Sequence, residues 1–179
     1  MRKITARRLR PEDRADVRLP NEPFPIWGTM IVTYDGSAWA YAVRELPPEQ
    51  VTEMTFPDEG YDFDQLQKDA FPVGAYDECG RCVGLAIYRR NWFRYLYLDD
   101  LKVCRDWRRM GVGAALLDEG LRIAREQGCL GVYTIGQHNN LSACLFYLRH
   151  GFEIGGLNTR VYDGTSQEGK HDIFFYRKL

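Results

Sequence analysis

The sequence predicts a single mixed α/β (α+β) domain, and three observations carry that expectation. An apolar run at 95–103 leads through Arg108-Arg109-Met110-Gly111-Val112-Gly113 into an amphipathic run at 112–124, the order strand, glycine turn, helix. Paired β-rich runs flank turn signals, at 27–34 and 38–46 around Asp35-Gly36, and at 71–76 and 83–89 around Cys79–Cys82, which reads as two antiparallel hairpins. A second helical run, from Asn139 or Asn140 to His150, lies between strand-like runs at 130–136 and 152–154. No repeat or linker divides the 179 residues, enough for one full core.

Taken in order, residues 3–9 form a short strand and a charged helix or turn starts near Pro11. Two prolines keep 21–25 extended, and Pro47-Pro48 ends the first hairpin. Residues 91–94 turn the chain into the 95–103 strand. Val112, Leu116, Leu117, Leu121 and Ala124 recur at helical spacing as a core stripe, with Gly128 as its cap. Gly151 suits the C′ position of the second helix, 173–176 is a strand, and 157–171 is a long polar loop.

Bulk properties narrow the partners. Net charge is −1, so nothing calls for nucleic acid or an anionic membrane. No 18-residue apolar run exists and the N-terminus lacks a signal-peptide core, which reads as cytoplasmic. The five cysteines are scattered. Cys79-Gly-Arg-Cys82 has neither a second pair nor histidines at ligand spacing, so it reads as a bare turn and no metal site is expected. Cys104, Cys129 and Cys144 read as buried thiols, and His138 and His150 as surface or capping groups.

Charge is unevenly spread. Segment 45–78 holds ten acids and one base, Lys68, a net of −9 against −1 for the whole chain, so the remaining residues carry +8. An acidic segment suits a polycationic substrate and a basic remainder a polyanionic one; a solvated loop is the plain alternative. The interleaved Phe56, Tyr61, Phe63 and Phe71 favour a packed wall.

The glycine turn carries the chemistry. A helix N-terminus reached through Gly111 and Gly113 leaves N–H groups unpaired at the positive end of the helix dipole, a site for a phosphate or pyrophosphate. The spacing matches neither a nucleoside-triphosphate loop nor a dinucleotide fingerprint. With Arg108, Gly111 and Gly113 it resembles the Gln/Arg-x-x-Gly-x-Gly/Ala signature of the GCN5-related N-acetyltransferases (GNAT), although Arg109 stands where the family often has Gly. Asn140-Leu-Ser-Ala143-Cys-Leu-Phe146-Tyr147 followed by Gly151-Phe152 is similar to that family's second motif.

The resemblance implies the GNAT fold: a mixed, mostly antiparallel sheet with splayed central parallel strands and helices on both faces. It implies acetyl-CoA as cosubstrate, held by the backbone of Leu101, Lys102 and Val103, by the turn Arg108, Arg109, Met110, Gly111, Val112, Gly113 and Ala114, and by Asn140. Tyr147 matches the family's general acid; as a phenol of pKa ~10 facing a thiol of ~8.5, it is expected chiefly to hydrogen-bond the leaving thiolate. Asp99 stands where many members carry a catalytic or water-holding acid, and Asp100 is the alternative base, placed on the opposite face by strand alternation.

Asn91-Trp-Phe-Arg-Tyr-Leu-Tyr-Leu-Asp99-Asp100-Leu101 and Gln137-His-Asn-Asn140-Leu-Ser-Ala-Cys144 further resemble one branch, the streptothricin acetyltransferases. That branch implies a small cationic amine as acceptor, the β-lysine amine of a streptothricin, acetylated by direct transfer in a monomer or homodimer. A polyamine or protein N-terminus as acceptor, or a non-catalytic acyl-CoA-binding regulator, are the other readings.

Overall fold

The computed structural model describes residues 3–179. In chain order the elements are β1 (Thr5–Arg8), β2 (Phe24–Ile26), β3 (Gly28–Tyr34), β4 (Trp39–Glu45), β5 (Thr52–Met54), α1 (Phe63–Asp69), β6 (Ala70–Tyr76), β7 (Cys82–Arg89), β8 (Tyr95–Val103), α2 (Val112–Glu126), β9 (Gly131–Gln137), α3 (Leu141–Arg149), β10 (Glu153–Asn158) and β11 (Asp172–Lys178). The charged helix or turn expected near Pro11 is a 3₁₀ turn, Pro11–Arg18. The chain divides into two compact units, residues 3–23, 55–132 and 179 in the first, 24–54 and 133–178 in the second.

In the first unit β1, β6, β7 and β8 form an antiparallel array in that order. Alternation along β7 sorts its side chains between two layers. Leu85 and Ile87 join Leu9, Val17, Phe63 and Leu66, the layer made by the 3₁₀ turn and α1. Gly84 and Tyr88 face α2, which lies across all four strands. The α2 stripe is buried as its spacing predicts, Val112, Leu116, Leu117, Leu121, Ile123 and Ala124 all being inside; each valine, leucine or isoleucine among them contributes about 1.5–3 kcal/mol.

In the second unit β2 pairs with β5 and β3 with β4, while β9, β11 and β10 are neighbours in that order. The β3–β4 turn is closed by Asp35, whose Oδ1 accepts from the Ser37 and Ala38 N–H groups at 2.8 Å each. β3 meets α3 closely: a Cβ on Gly28 would stand 2.8 Å from Leu141 Cδ2. The Trp27 indole donates to Ser142 Oγ at 2.8 Å.

The mixed, mostly antiparallel sheet flanked by helices is thus present, and three local readings change. Segment 45–78 contains a helix, α1, that hydrophobic periodicity does not reveal because it is only seven residues long. β10 runs to Asn158, into the stretch expected to be loop. Cys144 is buried, but Cys104 and Cys129 are half-buried, and all five thiols are free. The Cys79–Cys82 segment is a bare turn, held by Asp77 Oδ1 accepting from the Cys79 and Arg81 N–H groups. Among the described residues no helix is long and apolar enough to cross a membrane, and no three His, Cys, Asp or Glu side chains are grouped to hold a metal.

Candidate active site

The glycine turn belongs to the first unit and has the conformation an anion site needs. Arg109 and Gly111 both lie in the left-handed region, at φ 66° and 85°. Gly111 is the N-cap of α2 with no side chain to satisfy the first-turn donors. The first bond into the helix is Ala115 N–H to Gly111 C=O at 3.0 Å, so helix geometry leaves the Val112, Gly113 and Ala114 N–H groups without intrahelical acceptors. The Arg108 side chain does not face this site. Its guanidinium donates to the carbonyls of Val103 (3.1 Å), Pro23 (2.7 Å) and Glu22 (3.2 Å), fastening the 22–23 segment to the end of β8. Arg108 therefore shapes the turn, and the expected contribution of this stretch to an anion is left to its main chain.

β8 sets the two carboxylates. Its pairing with β7 opposes Gly84 to Val103, Leu85 to Lys102, Ala86 to Leu101 and Ile87 to Asp100, then jumps to Tyr88 opposite Leu98. Asp99 is the extra residue of a β-bulge, so simple alternation fails at this point. Asp99 is tied down: Arg89 Nε donates to its Oδ2 at 2.7 Å, and Arg89 Nη1 also holds Asp69 at 2.9 Å. Asp100 stands opposite Ile87 on the α1 side, with 16% of its side chain exposed against 29% for Asp99. Its Oδ2 is buried, and among the described residues the cation ion-paired to it is Lys102, whose Nζ is 3.2 Å away. Burial pushes the Asp100 carboxyl up to about 6, against the pull of Lys102 and with the help of Glu59 and Asp99. An aspartate so held is ionised at neutral pH yet a better proton acceptor than an ordinary one.

The acidic segment is mixed: residues 45–60 are mostly exposed, Phe56 among them, while the part from Asp62 onward packs as α1. Asp62 caps α1 by accepting from the Gln65 N–H at 3.0 Å, and Phe63 and Leu66 anchor the helix in the core. Between this helix and the preceding loop lies a cleft of about 520 Å³ lined by Glu59, Tyr61, Asp62, Asp69 and Arg89. Burial first, then the charges of Asp100, Asp99 and Glu59, raise the Tyr61 hydroxyl well above its ordinary value and keep it protonated. Glu59 and Tyr61 line this cleft; Tyr61 was legible as an interleaved aromatic, and the Asp62-x-x-Gln65 capping spacing was the signal that could have ordered the stretch around Glu59.

Asn140 and Tyr147 lie in the second unit. Asn140 Oδ1 caps α3 by accepting from the Ala143 N–H at 3.2 Å, and Gly151 ends the helix at φ 79°. Tyr147 is 7% exposed, with its ring 5.5 Å from those of Phe146, Phe152 and Phe175. His138 is structural: its Nδ1 accepts from the His171 N–H at 3.0 Å, and burial, then His171, hold it below the usual imidazole value. His150 packs against Phe146 at 4.5 Å.

Residues 38–152 match the model of the acetyltransferase (GNAT) family. The chain belongs to that family. This acetyltransferase is 31% identical to streptothricin acetyltransferase A of Bacillus subtilis (strain 168), over 92% of its own length and 94% of the relative's. It is 29% identical to streptothricin acetyltransferase of Streptomyces lavendulae over 80% of the chain and 77% of the relative. A crystal structure of nourseothricin acetyltransferase superposes with a TM-score of 0.78 at 26% identity, covering 98% of each chain. The fold is also that of a Bacillus anthracis str. Ames structure in complex with acetyl coenzyme A, at a TM-score of 0.86 and 23% identity over 99% of each chain. The acetyltransferase is an acetyl-CoA-dependent N-acetyltransferase.

Proposed function

We propose that this acetyltransferase transfers the acetyl group of acetyl-CoA directly to a primary amine of a streptothricin-type antibiotic, the β-lysine amine. The observation that carries the reading is the 31% identity, over 92% of the chain, to a relative named streptothricin acetyltransferase A. The acidic cleft supports it, since Glu59, Asp62 and Asp69 attract a polycation and the turn at the head of α2 suits a polyanion.

In this reading the N–H groups of Val112, Gly113 and Ala114 hold the diphosphate of the cosubstrate, with the backbone of Leu101, Lys102 and Val103 and with Asn140 taking the pantetheine arm, as family resemblance implies. A lysine-like amine of pKa ~10.4 costs about 4 kcal/mol to deprotonate at pH 7.5. Asp100, rather than Asp99, takes that proton: its raised carboxyl suits a base, whereas Asp99 is held by Arg89. The amine nitrogen then attacks the thioester carbonyl and the C–N bond forms; as the tetrahedral intermediate collapses the C–S bond breaks, Tyr147 hydrogen-bonds the departing thiolate, and the second nitrogen proton ends on that sulfur or in solvent.

Thiol release from acetyl-CoA, measured with streptothricin, spermidine, lysine and a peptide panel, tests the reading. Turnover confined to streptothricin-like cations is expected. Turnover on spermidine or a peptide N-terminus with streptothricin inert would replace the substrate, and tight CoA binding with no turnover on any amine would replace catalysis.

A further inference from the structure

We propose that the Lys102 side chain is a positioning residue for this reaction: clamped by Glu59, its ammonium is held against Oδ2 of Asp100 and keeps that carboxylate ionised for the incoming amine. The inference rests on Asp100 being the base, as proposed above, and concerns a side chain that the family resemblance used only for its backbone.

A lysine buried to 7% side-chain exposure is costly unless paired. Lys102 is paired twice, donating to Glu59 Oε2 at 2.5 Å and standing 3.2 Å from Asp100 Oδ2. Glu59 is not a loose partner. Its other oxygen accepts from Asn21 Nδ2 at 2.8 Å, the same amide that donates to the Pro57 carbonyl at 3.0 Å, and Asn21 N–H donates to Asp58 at 2.7 Å. Burial would raise the Glu59 carboxyl, but the bonds from Lys102 and Asn21 bring it below its ordinary value. The Tyr61 ring closes over the ammonium, its centroid 5.8 Å from Nζ. Loop 57–61 thus fixes the cation, and the cation is fixed beside the base.

The charged and titratable groups around Asp100 are Lys102 and Asp99 on β8, Glu59 and Tyr61 on the loop, and Arg89 on β7. Arg89 is committed to Asp99 and Asp69 of α1. Among the described residues Lys102 is therefore the group that favours the charged carboxylate; burial, Glu59 and Asp99 all oppose it. Without the ammonium those three act unopposed, and Asp100 carries a proton at neutral pH.

The test follows the acid limb of kcat/KM against pH, together with the carboxyl carbon titration of Asp100 by NMR, in the full chain and in Lys102→Met, Lys102→Gln, Lys102→Arg, Glu59→Gln and Asp100→Asn. Lys102→Met should move both the limb and the Asp100 titration alkaline by about one pH unit or more, with Lys102→Arg restoring most of the shift. Lys102→Gln, which keeps a donor to Glu59 without the charge, should give the same alkaline shift and decides alone if Lys102→Met does not fold. Glu59→Gln, which releases the clamp, should make the limb less sensitive to Lys102→Arg than it is in the parent. A rate lowered evenly at all pH, with the limb and the titration unmoved in Lys102→Met and Lys102→Gln, overturns the role of Lys102. If Asp100→Asn keeps the wild-type limb, the assignment of the base itself has failed; if Asp100→Asn loses the limb while Lys102→Met leaves it in place, only the positioning role has.

Discussion

Gly120 of α2 lies directly against Tyr88 of β7: a Cβ at Gly120 would come within 2.1 Å of Tyr88 Cζ, and the Tyr88 hydroxyl donates to the Leu116 carbonyl at 2.9 Å. The helix that begins at the glycine turn is seated on the sheet through this contact. Gly120→Ala is expected to destabilise the fold by about 3 kcal/mol or more, because the ring is fully buried and has nowhere to move. Tyr88→Phe should cost only about 1 kcal/mol, the value of one neutral hydrogen bond. Thermal unfolding of the two variants checks the order; equal effects would contradict the packing account.

Asp100→Asn should lose turnover and gain stability together. The folded carboxyl is raised, so the native state favours its protonated form, and stability falls as pH rises from the ordinary aspartate value through about 6. The variant should therefore be more stable than the parent at pH 7 by roughly 1–3 kcal/mol, the gain vanishing near pH 4. Denaturant unfolding at both values checks this. Asp99→Asn, which breaks only the contact with Arg89, should retain turnover.

Tyr147→Phe keeps the aromatic cluster with Phe146, Phe152 and Phe175 and removes only the hydroxyl. It should lower kcat while the Kd for CoA changes little. An unchanged kcat would remove the hydroxyl from the leaving-group step.

Arg109 sits at φ 66°, where most side chains are strained by about 1 kcal/mol. Arg109→Gly, the residue the family often has there, should be tolerated with CoA affinity within about twofold of the parent, since relieved strain is offset by a more flexible unfolded chain. Arg109→Val, β-branched, should weaken CoA binding and stability, as calorimetry with CoA would read.

Most of the architecture was legible because strong local signals agreed. The 95–103 strand, the Val112 stripe, the Asp35-Gly36 turn, the Asn140 cap and Gly151 all stand where their residues predict. The bulge at Asp99 was not legible, since it arises from the register of β7 against β8 and leaves no mark in either strand. The bulge breaks the simple alternation expected at these two acids, and the proposed preference for Asp100 rests on the Arg89 contact that holds Asp99. Lys102 was visible only as a strand residue; its pairing with Glu59, 43 positions away, depends on how loop 57–61 folds back. Arg108 matched a signature, yet its side chain serves the carbonyls of Val103, Pro23 and Glu22, a role that a motif does not distinguish from ligand binding.

The most direct test is to titrate acetyl-CoA into ¹⁵N-labelled protein and follow the backbone amides at the head of α2. The account predicts saturable shifts centred on Val112, Gly113 and Ala114, lost when the diphosphate is absent from the titrant. Amides at this turn that stay unmoved while the cosubstrate binds elsewhere would contradict it.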